Sequence, residues 1–189
     1  MSGRLQDISS LNPEEILSLA TVNDIIRRKL NRIQPEHRKT LAMMAIVGHT
    51  TDMVLLEEFS EAPTQFLAVC DINNILQVKN EEWQFPHSKL RDVLLEQIPQ
   101  TEKQNIHAIA GDALAKHYGD RFEDAARISY HYQHAARPDL ELPFVAKAAE
   151  RAFELLALEE ARRHYQRAIS LLVEFDTDKP MLIQVSRRL

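Results

Sequence analysis

Phe85-Pro86-His87-Ser88-Lys89-Leu90-Arg91-Asp92-Val93-Leu94-Leu95-Glu96-Gln97-Ile98-Pro99 is the stretch from which the fold is read. An aromatic strand ends at the histidine, an amphipathic helix starts at once, and Pro99 stops it. Just upstream, Leu76-Gln77-Val78-Lys79 and Trp83-Gln84-Phe85 alternate around the polar turn Asn80-Glu81-Glu82, which predicts a β-hairpin. Three helices are expected before it. One covers about 36–47 and ends near Gly48 as a left-handed cap, one covers 52–59, and Pro63 opens the third, which runs to about Asn74.

Three helices followed by a hairpin is the order of a winged helix-turn-helix. Towards the amino terminus, Asn12-Pro13-Glu14-Glu15 reads as a helix start, with two carboxylates facing the positive end of the dipole. Thr21 with Asp24 reads as a second start, after which Val22, Ile25, Ile26, Leu30 and Ile33 recur at helical spacing. Gln34-Pro35 breaks that helix.

Beyond Pro99 only helices are expected. Ile106, Ile109, Ala110, Ala113 and Leu114 fit one apolar helix face. A further helix over about 123–136 ends at Arg137-Pro138. Val145, Ala148, Ala149, Ala152, Phe153 and Leu156 then form a stripe, and Leu158, Ala161, Tyr165, Ala168, Ile169 and Leu172 form its partner. Alanine at the seam predicts an antiparallel hairpin of a tetratricopeptide-like solenoid, with Phe153 and Tyr165 in its core.

The expected fold is therefore mostly α: a winged helix-turn-helix with one short hairpin, followed by a helical repeat region. The divisions are 1–21 as an N-terminal segment, 22–98 as a linker helix and winged-helix domain, and 99–189 as a truncated repeat array. A last helix over 181–189, with apolar Met181, Leu182, Ile183 and Val185, predicts that the chain is a segment of a longer protein.

Composition narrows the function. The 189 residues carry a formal net charge of −5, which argues against a protein that coats nucleic acid. One cysteine, Cys70, sits in the apolar run Phe66-Leu67-Ala68-Val69-Cys70 and reads as a buried thiol in a reducing compartment. No apolar run approaches the ~18 residues of a membrane helix and no secretory signal is present, so a cytoplasmic protein without a membrane partner is expected. The glycines, Gly3, Gly48, Gly111 and Gly119, match neither a phosphate-binding P-loop nor a dinucleotide fingerprint.

The Phe85 to Pro99 stretch resembles the segment that closes the winged-helix domain of bacterial AAA+/STAND signal-transduction ATPases. Val22 to Ile33 is similar to that family's linker helix, and Leu41-Ala42-Met43-Met44-Ala45-Ile46-Val47-Gly48 with Leu55-Leu56 looks like its next helices. Ile128-Ser129-Tyr130-His131-Tyr132-Gln133-His134-Ala135 resembles the helix that follows the winged helix. Glu159-Glu160-Ala161-Arg162-Arg163-His164-Tyr165-Gln166-Arg167-Ala168-Ile169 looks like the second helix of a tetratricopeptide repeat.

The resemblance implies that His87 reaches a phosphate of ADP in an attached nucleotide-binding domain and latches a closed state; Pro86 and Ser88 depart from that family's pattern. It implies ADP or ATP as a cofactor of that attached domain and none in this chain. The basic run Arg27, Arg28, Lys29 and Arg32, followed by Arg38 and Lys39, is implied to lie against the ATPase, with Arg91 beside it. Exposed Arg162, Arg163 and Arg167 are candidates to line a repeat groove for an acidic protein or peptide.

Two other chemistries are weighed. The helix expected to read DNA, from Pro63 to Asn74, holds no Lys or Arg, so the winged helix offers DNA almost nothing. His131 and His134, near His107 or His117 if the helices pair, lack the Cys, Asp or Glu partners of a zinc site, and no metal is expected. No nucleophile or acid–base constellation stands out. The expected function is a non-catalytic regulatory and interaction module of a signal-transduction ATPase, of the kind fused to nucleotidyl cyclases, protein kinases or DNA-binding regulators. The alternatives are a winged-helix transcription regulator and a free-standing tetratricopeptide-like adaptor.

Overall fold

The computed structural model describes residues 13–175, with side chains from 22 to 174. Helix α1 (Pro13–Asn31) leads to α2 (Pro35–Val47), strand β1 (Thr50–Thr51), α3 (Met53–Phe59) and α4 (Pro63–Ile72). Strands β2 (Gln77–Lys79) and β3 (Glu82–Gln84) precede α5 (Ser88–Gln97). Helices α6 (Gln100–Tyr118), α7 (Ala125–His134), α8 (Pro138–Glu154) and α9 (Leu158–Phe175) follow, so the described residues are mostly helical with one small antiparallel sheet.

Prolines open α2, α4 and α8, where a missing N–H costs nothing. Asp52 opens α3, its Oδ1 accepting the Leu55 N–H at 2.9 Å. Helix α1 is continuous, and the second start expected at Thr21 is absent. Thr and Asp inside a helix cost only a few tenths of a kcal/mol each, less than leaving two further helix ends uncapped. Helix α1 ends where Arg38 Nε and Nη2 donate to the carbonyls of Ile33 and Asn31, each at 2.8 Å. The expected cap at Asn12 and the helix over 181–189 lie outside the described residues.

Gly48 is extended, at φ 159° and ψ −160°, and not a left-handed cap. Its N–H still closes α2 on the Met44 carbonyl, and the extended backbone feeds straight into β1. That strand pairs antiparallel with β3, Thr50 opposite Gln84, so the expected hairpin is one part of a three-stranded sheet in the order β1-β3-β2. Lys79 faces Glu82 across a two-residue turn, Asn80-Glu81, one residue shorter than expected. Both turn residues are left-handed (φ 53° and 67°), the conformation that matches strand twist in a tight hairpin.

Helix α2 explains its own apolar run. Every residue from Thr40 to Val47 is buried because the helix is covered on two sides. Leu41, Met44 and Ala45 join Phe66, Phe85 and Val93 in a first core. Met43, Ile46 and Val47 join Ile106, Leu114 and Tyr132 in a second, which spans the sequence division expected at residue 98. Helices α6 and α7 come close at Gly111, where a Cβ would lie 2.9 Å from the Tyr132 ring.

A third core of Val145, Ala149, Ala152, Ala161, Tyr165, Ala168 and Leu172 holds α8 against α9. Phe153 was expected there and is instead 43% exposed. It lies about 100° round the helix from the buried line ending at Ala152. Helix α8 then stops at Glu154, and Leu156 turns outward at φ 58°.

Candidate functional site

His87 stands at the N-cap of α5 with extended backbone, and its carbonyl accepts the Leu90 N–H at 3.0 Å. Its side chain is exposed and caps nothing, which leaves the imidazole facing outward. Arg91, one turn on, is half-buried and anchored: Nε donates to the Ala45 carbonyl at 2.7 Å, closing the last turn of α2. The sequence presented Arg91 as a surface residue for another domain, and its contact 46 residues away had no local signal.

The basic run divides in two. Arg27, Arg28 and Arg32 are exposed and pair with no described residue. Lys29 Nζ donates to the Asn74 carbonyl at 3.0 Å, tying α1 to the end of α4, while Arg38 caps α1. The outer face of α4 shows Thr64, Gln65, Ala68, Asp71 and Ile72, with Ile72 79% exposed. A cleft of about 650 Å³ between α2, α3 and α4 has Glu57, Glu58 and Glu61 on its rim. Glu58 is held below the usual carboxylate range by hydrogen bonds from Lys116 and His117 of α6.

Among the three arginines expected to line a repeat groove, one is exposed and unpaired among the described residues. Arg162 pairs along its own helix with Glu159 at 2.9 Å. Arg167 is not the exposed residue expected: it grips Glu141 of α8 with both ends of its guanidinium, at 2.7 and 2.8 Å. Glu141 is 1% exposed, and a carboxylate that deep needs a bidentate cation. Arg163 keeps its charge on the rim of a cleft of about 340 Å³ between α7, α8 and α9.

The structure joins three histidines. His107 of α6 and His131 of α7 meet Nδ1 to Nδ1 at 3.0 Å, and His134 stacks on His107 with centroids 4.9 Å apart. His117 is not part of this group, since it faces Glu58. Burial, helped by the charge of His134 and Lys103, pushes His107 down to about 4. Burial and the neighbouring His107 push His131 down to about 3. Both rings are therefore neutral near pH 7, and one Nδ1–H donates to the other Nδ1. No group of three or more His, Cys, Asp or Glu arranged to hold a metal occurs among the described residues.

Two further residues matter that the sequence left unmarked as a pair. Asp52 Oδ2 accepts the Tyr118 hydroxyl while Oδ1 caps α3. The capping aspartate before an apolar run is a readable signal, but its partner 66 residues away is not. Cys70 is buried, as expected, and burial raises its thiol to about 12, which leaves it unreactive. No helix among the described residues is long and apolar enough to cross a membrane. No family model, no curated protein and no solved structure matches this chain.

Proposed function

We propose that this chain is a non-catalytic regulatory and interaction module of a signal-transduction ATPase. In this reading α2 to α5 with the three-stranded sheet are a winged helix, α1 is its linker to a nucleotide-binding domain, and α6 to α9 are tetratricopeptide-like repeats that take up a partner. Support comes from the order helix, strand, two helices, hairpin, with the first strand on the far side of β3 from β2. The four later helices contribute a second support, each packing on the next.

The observation that carries the reading is the outer face of α4. This is the helix a winged-helix regulator would lay in the major groove. It offers an exposed isoleucine, an aspartate and no cation, beside an acidic cleft. Phosphate contacts dominate affinity for DNA, and here they are missing, so the surface suits protein. Exposed Arg27, Arg28 and Arg32, with the outward imidazole of His87, are then the residues to face a nucleotide-binding domain and its ADP.

The test uses the polypeptide of the complete reading frame. It must encode a Gly-x4-Gly-Lys-Ser/Thr loop outside residues 1–189, and without one the proposal falls. With it, ADP release is timed by stopped flow for wild type and His87→Ala. Release several times faster in the variant supports the latch, and an unchanged rate removes His87 from the proposal. Anisotropy with duplex DNA should show no binding at physiological salt. Tight binding that weakens steeply with salt would install the transcription-regulator reading instead.

A further inference from the structure

A cleft of about 240 Å³ lies where α2, α5, α6 and α7 meet. Two cations line it from different helices, Arg91 of α5 and Lys103 of α6, and no carboxylate does. In a chain of net charge −5 the lining itself is positive. Arg91 is already oriented, because its Nε is fixed on the Ala45 carbonyl, which leaves the two terminal guanidinium nitrogens as a forked donor pair. Lys103 is half-buried, and its side chain has no hydrogen-bond or ion-pair partner among the described residues.

Gln100, also in the lining, is the first residue of the 19-residue α6, whose N-cap is Pro99. Proline brings no side-chain cap, so the first N–H groups of α6 have no side-chain acceptor among the described residues. Apolar Ile46 and Leu95 form another part of the wall, and the Tyr130 and His134 rings, with centroids 4.1 Å apart, stand on the exposed side. The volume takes one compact anion. A larger attached group would lie outward, against those rings.

We propose that this cleft binds a phosphate-type anion, free or as the terminal group of a larger metabolite, through Arg91, Lys103 and the N-terminus of α6. The Arg91 fork matches two phosphate oxygens and Lys103 supplies a mobile third contact. The site is built wholly from this chain and does not depend on the regulatory reading, so either can fail alone.

Isothermal titration and amide NMR of the 189-residue chain test it with inorganic phosphate and with AMP. Saturable binding with shifts centred on residues 91, 100 and 103 is expected. Lys103→Ala should weaken it at least tenfold, and Lys103→Gln similarly with the side-chain length kept. Lys79→Ala, on the distant hairpin, should bind as wild type. AMP binding more tightly than phosphate would identify a nucleotide monoester resting on the Tyr130 and His134 rings. Equal affinity would identify the phosphate group alone as the ligand. Absence of a saturable shift at millimolar phosphate, or equal weakening by Lys79→Ala and Lys103→Ala, overturns the proposal.

Discussion

Helices α1 to α5 and helices α6 to α9 are held together in different ways. In the first region the fastening contacts join residues far apart in sequence: Lys29 to Asn74, Arg91 to Ala45, and β1 to β3. In the second, α6 packs on α7, α7 on α8 and α8 on α9, so most of the burial is between sequence neighbours. The first should behave as one cooperative unit, and the second as a stack whose end can loosen separately. The second core, shared by α2, α3, α6 and α7, is where the two behaviours meet.

The strongest way to break this contrast is Phe66→Ala. Phe66 is fully buried in the first core, and removing a ring from such a site costs about 4 kcal/mol. Urea unfolding should show that loss, with amide exchange accelerating across α2 to α5 and through the shared core into α6. Unchanged exchange in α6 would mean that the shared core does not couple the regions.

Arg167→Ala probes the other end. It leaves the Glu141 carboxylate buried without its partner, at a cost of about 3 kcal/mol, the low end for a buried pair because Arg167 is partly exposed. Exchange should quicken in α8 and α9 and stay slow in α2 to α5. The double substitution Glu141→Leu with Arg167→Met should recover most of the loss. Accelerated exchange throughout the chain would contradict a stack that loosens from its end.

Acid sharpens the comparison at the α6–α7 contact. Both His107 and His131 are held below their ordinary value of 6.5, so the unfolded chain takes up more protons in mild acid. Their contribution is complete above about pH 6.5 and is lost as pH falls towards 4, where His107 charges within the fold, and on towards 3, where His131 does. Thermal denaturation should show about 2 kcal/mol lost between pH 7 and 5.5, and His107→Gln should remove about half of that dependence. The smallest effect belongs to the turn. Glu81 holds φ 67°, and Glu81→Gly should stabilise the chain by about 0.5 kcal/mol without altering the α6–α9 stack.

Much of the helical layout was legible because proline and aspartate mark boundaries through local chemistry alone. Pro35, Pro63 and Asp52 each stand where a helix opens. Strand β1 was not legible, since two threonines carry no periodicity and their partners, Gln84 and Trp83, lie more than 30 residues on. Thr21 misled because a capping residue inside a helix looks the same on paper as one at its start. At the candidate site, His87, Arg27, Arg28 and Arg32 are exposed, and the three arginines pair with no described residue. Arg91 and Arg167 differ, because each is held by a group on another helix. The histidine cluster was half legible: spacing placed His131 and His134 on one helix, but only packing could choose His107 over His117.

Asp52 gives the first turn of α3 a dependence on the far end of α6. One carboxylate oxygen holds the start of α3 and the other holds the Tyr118 hydroxyl, so neither bond can shift without disturbing the second. The pair works as a linkage in the engineering sense. Any load that draws the end of α6 aside pulls on the capping carboxylate, and slack there reaches α4 through the three residues that separate it from α3.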